Sequence, residues 1–423
     1  MALILRKSRQ ISENRNAPQR ICPDTNGADE VTRHRSRPPA IVAASQIAPG
    51  RFPTLDGLQL LERIVERFLS DWPDLSPGMI DGLLAPPAYI AGAGGTNTYI
   101  HQRLAGRLGI KPRFAETLNA GATYGAMVSR AVLAIEAGVC NAVLCVGVGK
   151  FPSVHADGAA ISTMVGDPEF ELCYGASIPA MYAMIAQRFM HQRGTTRDQL
   201  SAVAVSAREW ALANADAYMF GRGPLAPADI PASRPIASPF HKFDCSVPCE
   251  GGGALLIVRG ASVDRGSSRA AYIVGIGESH YHAPVSEIAE PSETGLAECA
   301  QRAFQMSGLS PEQISIAQLY DPFTITPIIQ VEECGFVEPG GGGELFESGA
   351  AGPGGSLPLN TFGGLLSFGH TGDSSGISFF VEAAQQIMGL AGKRQVDNVD
   401  TALVHTYGGI LTDHVTVILG REP

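Results

Sequence analysis

The order of secondary-structure signals along this 423-residue chain runs once and then restarts. Ala40-Ile-Val-Ala-Ala reads as a short buried strand, and Leu55–Trp72 carries Leu58, Leu61, Ile64, Val65 and Phe68 at helical spacing. A small-residue helix over Gly121–Gly138 and a buried strand over Asn141–Gly147 follow. Helices over Ser177–Gln192 and Arg197–Asp216 and a strand over Ala254–Arg259 close the round. From Tyr272 the series begins again: a strand, a helix over Thr294–Ser307, a strand over Ile314–Leu319, a second small-residue helix over Gly376–Gly389 and a strand within Thr401–Gly409. Gly308-Leu-Ser-Pro-Glu-Gln-Ile repeats the composition and place of Asp74-Leu-Ser-Pro-Gly-Met-Ile. Matching landmarks in matching order predict a duplicated α/β fold, with the two central helices packed together between two sheets. The expected halves are residues 40–265 and 266–423.

Length agrees with this division, since 423 residues with 45% hydrophobic content exceed one ordinary core. A formal charge of -10 does not favour nucleic acid as a partner, and no apolar run reaches the length of a membrane span. The eight cysteines have no regular spacing, so no disulfide framework is expected. Cys140, Cys145 and Cys334 read as buried free thiols of a reducing compartment, which predicts a cytoplasmic protein. Residues 1–39 carry Arg6, Lys7, Arg9, Arg15, Arg20, Arg33, Arg35 and Arg37 with little apolar periodicity, as expected of a disordered tail. Glu13, Asp24, Asp29 and Glu30 argue against an organelle transit peptide there.

The chemistry concentrates in Asn360-Thr-Phe-Gly-Gly-Leu-Leu-Ser-Phe-Gly-His-Thr-Gly-Asp-Ser-Ser-Gly376. Glycines let backbone approach a ligand closely, and the start of the helix behind them offers N–H groups to an anion. Histidine is the side chain suited to proton transfer near neutral pH. His370 beside Gly369 therefore marks a site that holds developing negative charge and exchanges a proton. Tyr320-Asp-Pro-Phe-Thr324 follows a strand, where sites in α/β sheets tend to sit. Tyr320 is read either as proton donor or oxyanion partner, or as an amphipathic residue at a core edge. Asp321 is read either as orienting His370 or as capping the next helix. The glycine-rich stretch Gly335–Gly355 is read either as a mobile loop over the site or as a flexible surface loop.

Asn360-x-x-Gly363-Gly364, then Gly369-His370, then Ser375-Gly376, resembles the histidine signature of thiolases, especially sterol-carrier-protein-type thiolases and their lipid-transfer relatives. Tyr320-Asp-Pro-Phe stands in the place of that family's Asn-Glu-Ala-Phe or His-Asp-x-Phe stretch. Asp244-Cys245 to Ala254 resembles the turn that closes the first half. The resemblance spans roughly Ala40–Gly420. It implies two similar βαβαβαββ halves in a five-layer α-β-α-β-α sandwich, a homodimer, and a coenzyme A thioester as substrate with no tightly bound cofactor. It also implies a small partner subunit with an OB-fold and a zinc ribbon.

The departures redirect the chemistry. Thiolases carry an acylated cysteine at the start of the first central helix, where this chain has Asn119-Ala-Gly-Ala122-Thr-Tyr124-Gly. Ala122 has no nucleophile with which to form an acyl-enzyme. Near the C-terminus, Val404-His-Thr-Tyr407-Gly408-Gly409 has Thr406 where a second cysteine is expected, with His405 and Tyr407 as neighbours. Thr371 and Asp373 also depart from the signature. Cysteine-free aldolases of steroid side-chain breakdown belong to the same group and cleave β-hydroxyacyl-CoA without an acyl-enzyme. The resemblance therefore implies a retro-aldol acyl-CoA lyase. Tyr320 matches one of the tyrosines implicated in proton transfer in those aldolases, whereas His370 stands where they have the other, a departure from their pattern. The retained Tyr320–His370 pair is read as acid and base, with Tyr407 as a third member. His370 and N–H groups near Gly408 and Gly409 would hold the thioester oxygen, with Asp321, Gly369, Ala122 and Tyr124 lining the substrate site. The alternatives are a thiolase-type acyltransferase and a noncatalytic acyl-CoA or lipid binder.

Other residues carry no chemistry in this reading. Cys245-x-x-x-Cys249 lacks a second pair for zinc, so no metal is expected. His280-Tyr-His282 reads as a polar loop, His414 as facing solvent at an element edge, and Met181 with Met184 as core. No Gly-x-Gly-x-x-Gly joins a strand to a helix, so a dinucleotide site has no support.

Overall fold

The computed structural model describes residues 37–90, 95–150, 166–264, 269–281, 284–290 and 294–423. The tail expected over 1–39 falls, up to residue 36, outside the described residues, as does His282.

In chain order the strands are β1 (Ala40–Gly50), β2 (Gly82–Ala85), β3 (Ala88–Ile90), β4 (Gly95–Asn97), β5 (Phe114–Thr117), β6 (Ala142–Val146), β7 (Pro235–Ala237), β8 (Phe240–His241), β9 (Glu250–Val258), β10 (Ala271–His280), β11 (Ile316–Leu319), β12 (Thr401–Tyr407) and β13 (Asp413–Gly420). The helices are α1 (Gly57–Asp71), α2 (Ile100–Leu108), α3 (Thr123–Glu136), α4 (Ile178–Arg193), α5 (Arg197–Leu212), α6 (Asp229–Ala232), α7 (Leu296–Ser307), α8 (Ile325–Glu333), α9 (Gly342–Glu347) and α10 (Ser375–Ile387).

Local chemistry sets the helix starts. Asp56 accepts the Gln59 N–H while the Gln59 side chain returns to the Asp56 backbone, a reciprocal cap for α1. Thr196 and Gln199 do the same for α5. The repeated Leu-Ser-Pro sequences both become one-turn 3-10 segments, Pro77–Met79 and Pro311–Gln313, each capped by its serine and each leading into a strand.

Nine strands form one sheet in the order β5-β2-β6-β9-β1-β10-β13-β12-β11. Read outward from its centre, the order is the same twice. β1 runs antiparallel to β9, β9 antiparallel to β6, and β6 parallel to β2; likewise β10 to β13, β13 to β12 and β12 to β11. The place corresponding to β5 is taken by Leu359, bridged in parallel to Ala317. The two expected sheets thus join edge to edge through Ala40↔Tyr272 and Ile41↔Ala271.

The layers follow from apolar faces seeking cover. α1 and α2 cover one half of the sheet; α7, joined by α4, α5 and α8, covers the other. Between them lie α3 and α10, in contact with each other and with strands of both halves. Their shared core includes Met127, Val128, Ala131, Ile377, Phe379 and Phe380, all fully buried. Each of the larger side chains among them contributes about 1.5–3 kcal/mol of transfer free energy. Gly125 admits this closeness: a Cβ there would lie 2.6 Å from both Thr406 Oγ1 and Val415 Cβ. This α/β sandwich of five layers places the starts of α3 and α10 near the ends of β11 and β12.

Several expectations change in three dimensions. Gly335–Gly355 is not without regular structure. It contains α9, which buries Gly342, Gly343 and Phe346 against α5 and α8, because Gly342 lets the backbone sit against Ile328 and Gly343 against Gln199. Met181 is core, but Met184 is 53% exposed, one turn round the wrong face of α4. His280 ends β10 rather than lying in a loop, with its Nδ1 2.7 Å from Asp413 Oδ1. His414 is fully buried within β13.

Candidate active site

Asn360 shows why the glycine–histidine stretch begins as it does. Its side chain donates to the Leu319 carbonyl at 2.8 Å and accepts the Leu319 N–H at 2.7 Å, acting as one more strand residue on β11. The backbone at Asn360 is left-handed, with φ 50°, which asparagine tolerates. The following residues, Gly364–Phe368, form a single π-turn, a local widening common at functional sites.

Asp321 supports that turn from below. It neither contacts His370 nor caps α8, whose N-cap Thr324 makes no side-chain cap bond. Its Oδ1 instead accepts the Leu365 N–H at 2.8 Å. Gly364, at φ 57°, makes room: a Cβ there would sit 2.1 Å from Asp321 Oδ2. Burial pushes the Asp321 carboxyl up to about 8 despite these N–H contacts.

Cys245–Cys249 forms a strap across the site. The Ser246 N–H donates to the Pro322 carbonyl at 2.9 Å and the Val247 N–H to Leu365 at 3.2 Å. His370 donates to the Val247 carbonyl at 2.7 Å, and Cys249 donates back to the His370 carbonyl at 2.8 Å. The strap is anchored by buried Asp244, which takes a forked contact from Arg197 and a 2.8 Å bond from Thr324. Its closing-turn sequence was legible; its anchoring function was not.

The Tyr320 oxygen and His370 Nε2 are 3.2 Å apart. His370 Nδ1 accepts the Gly372 N–H at 3.1 Å and lies 3.3 Å from Ser375 Oγ. An accepting Nδ1 assigns the proton of the neutral ring to Nε2, so Nε2–H faces Tyr320. Burial pulls the His370 pKa down to about 4. A ring so reluctant to charge is a weak base and a standing N–H donor.

Tyr407 packs edge-on to Tyr320, ring centres 5.1 Å apart. Its hydroxyl is buried beside Tyr182 and Thr326 without a well-formed hydrogen bond, and desolvation holds its pKa well above the ordinary tyrosine value. Tyr182 was not anticipated; its hydroxyl donates to the Gly409 carbonyl at 3.1 Å. Gly408 departs from expectation, since its N–H is committed to the Asp413 carbonyl at 3.0 Å. It instead lets two backbones touch, with a Cβ there falling 2.0 Å from Gly121 C. Gly121 in turn donates to Asp413 Oδ2 at 2.8 Å, which fixes the start of α3 and the N-cap residue Ala122. Tyr124 is buried between the central helices against Gly147 and Gly376. Gly369, at φ 134°, packs on Cys249 and Pro49.

Tyr320, His370 and Tyr407 therefore form one contiguous group, while the Ala122 end is linked to it through Gly121 and Gly408. Among the described residues no His, Cys, Asp and Glu cluster could hold a metal ion. Cys140, Cys145 and Cys334 are buried free thiols, and desolvation raises the thiol pKa of each. No helix among the described residues is long and apolar enough to cross a membrane.

Comparison with known proteins bears on the fold that carries this group. The family model described as thiolase C-terminal domain-like matches residues 277–421. An acetyl-CoA acetyltransferase of Methanothermobacter thermautotrophicus is 30% identical over 318 residues, 74% of this chain and 81% of the relative. A 17-hydroxy-3-oxo-4-pregnene-20-carboxyl-CoA lyase of Mycobacterium tuberculosis is 30% identical over 355 residues, 80% and 88% of the two chains. Among solved structures, the Ltp2-ChsH2(DUF35) aldolase superposes with a TM-score of 0.76 at 27% identity, covering 90% of this chain and 97% of that one. With relatives of this identity and coverage, a matching C-terminal domain and a twice-repeated sheet order, the chain belongs to the thiolase superfamily, in its sterol-carrier-protein-type group.

Proposed function

We propose that this protein is an acyl-CoA lyase that cleaves a β-hydroxyacyl-CoA by a retro-aldol route. The observation that carries the reading is the Tyr320–His370 contact combined with alanine at the start of α3. In this scheme a base removes the β-hydroxyl proton and the Cα–Cβ bond breaks. The β-carbon leaves as a ketone or aldehyde, and the electron pair becomes a thioester enolate. The Nε2–H of neutral His370 donates to the enolate oxygen, where a preorganised donor is worth most. Its low basicity suits that task better than proton abstraction. Tyr320 exchanges the proton, with Tyr407 in support, and the proton returns to Cα to give the shorter acyl-CoA. Proton and electron pair balance within the substrate, so no oxidant or reductant is consumed.

Residues 40–265 and 266–423 are read as the two halves of the enzyme. A homodimer and a small OB-fold and zinc-ribbon subunit are the proposed partners; the two-part name of the Ltp2-ChsH2 aldolase supports the latter.

The test is release of a carbonyl product from β-hydroxyacyl-CoA, followed with Tyr320→Phe and His370→Ala. Each variant is expected to lose about 10²–10⁴-fold in kcat. Full activity in both would remove the assignment. A covalent acyl adduct on the wild-type protein, seen by intact mass after incubation with acyl-CoA, would favour an acyltransferase instead.

A further inference from the structure

Two buried histidines lie directly behind Tyr407 and enter none of the steps above. His405 and His414 stack on the adjacent strands β12 and β13, ring centres 5.3 Å apart and 6.3 and 5.9 Å from the Tyr407 ring. Both are fully buried. They belong to a chain of contacts: Thr416 Oγ1 lies 2.8 Å from His405 Nδ1, His405 Nε2 lies 3.1 Å from His414 Nδ1, and His414 Nε2 lies 3.2 Å from the Leu411 carbonyl.

The far end of this chain sets its direction. A carbonyl only accepts, so His414 carries its proton on Nε2. Its Nδ1 is then an acceptor, which requires His405 to donate from Nε2. His405 Nδ1 accepts from the Thr416 hydroxyl in turn. With both rings neutral, this arrangement satisfies every group in the chain of contacts. A second proton on His414 would set N–H against the His405 N–H, while one on His405 would face the Thr416 hydroxyl and is opposed by burial instead. Burial and the neighbouring ring accordingly hold the His405 pKa well below the ordinary value.

Leu411 has φ 55°, a left-handed conformation that is strained for a leucine. It belongs to the turn between β12 and β13 that contains Gly408, packed on Gly121, and Gly409, bonded to Tyr182. We infer that His414 is a positioning residue: its hydrogen bond to the Leu411 carbonyl sets the 408–412 turn against the start of α3 and beside Tyr407, so that an acyl-CoA thioester is bound in register with the site. His405 fixes the tautomer that makes the bond possible. The substrate class in this inference rests on the acyl-CoA reading above.

Substitutions at 414 separate the two ends of the ring. Glutamine places an amide N–H near the position of Nε2 and keeps the bond to Leu411. Asparagine reaches only the Nδ1 position and keeps the bond from His405. The readout is the dissociation constant of a non-cleavable acyl-CoA thioether, alongside kcat/KM for carbonyl release. His414→Asn and His414→Leu are expected to weaken thioether binding about tenfold, near the value of one lost buried hydrogen bond, while His414→Gln stays within about threefold of wild type. Nitrogen-15 spectra of the wild-type imidazoles should show both rings protonated at Nε2 alone. Equal losses in the asparagine and glutamine variants would overturn the inference, because packing alone would then explain the site; so would an Nδ1–H tautomer at His414. If the leucine variant does not fold, the asparagine–glutamine pair still decides. If wild type binds the thioether but releases no carbonyl product, the lyase reading fails while the binding ratios continue to test His414.

Discussion

His370 should stay uncharged through the physiological range, and its reluctance to charge should make the fold sensitive to acid. Its pKa falls from an ordinary 6.5 to about 4. The unfolded chain then binds more protons at this residue than the native one wherever the pH lies between those values. Stability from this group is therefore full above pH 6.5, falls as the pH drops through the window, and is gone below about 4. A shift of about 2.5 units at 1.36 kcal/mol each sets a ceiling of roughly 3 kcal/mol, which partial exposure of the ring reduces. The perturbation is His370→Asn, which removes the titrating group, compared with wild type by urea denaturation between pH 7.5 and 4.5. The wild-type advantage should shrink by roughly 2 kcal/mol across that range, with the other titrating groups common to both proteins. In parallel, the His370 ring resonance should not titrate above pH 5. An apparent pKa at or above 6, or parallel stability curves for the two proteins, would refute both the burial argument and the assignment of His370 as a standing N–H donor.

Asp321 titrates in the opposite sense. Its carboxyl rises from 3.8 to about 8, so the stability it contributes is full at acid pH and is lost as the pH climbs through 8. Asp321→Asn should gain on wild type in urea midpoint at pH 8.5 and not at pH 4.5; a pH-independent difference would contradict the assignment. Gly408→Ala should drive a methyl group into the Gly121 backbone, costing about 1–3 kcal/mol in thermal or urea unfolding and weakening acyl-CoA binding. Ala122→Cys should restore a nucleophile at the start of α3, where the helix dipole favours a thiolate. Intact mass should then show an acyl adduct after incubation with acetyl-CoA in the variant and none in wild type.

Local pattern made the helices legible. The 3.6-residue apolar spacing of Leu58, Leu61, Ile64, Val65 and Phe68 predicts α1 to within a few residues, because that signal acts between neighbours in the chain, while the Asp56 and Thr196 caps emerge only in the structure. The short strands β2 and β5 went unread, since four residues carry too little periodicity to separate strand from loop. Composition also misleads: the glycine-rich 335–355 segment reads as flexible, yet Gly342 and Gly343 serve close packing of α9. His414 looked like an edge residue because a lone polar side chain in an apolar run does not announce its buried partner.

By itself, then, the sequence determined the α/β class, the twice-run order of elements, the glycine–histidine stretch with Tyr320, and the absence of a cysteine where an acyl-enzyme would form. Tertiary structure alone decided which of these groups meet. Tyr320 reaches His370 across 50 residues, Asp321 reaches Leu365 across 44, and Gly121 reaches Asp413 across 292. The same is true of protonation. His370 and Asp321 have ordinary chemistry as residue types, and only burial within the assembled layers pushes one down to about 4 and the other up to about 8. Spacing along a chain encodes periodicity, but desolvation and long-range hydrogen bonds exist only once the two halves close around the central helices.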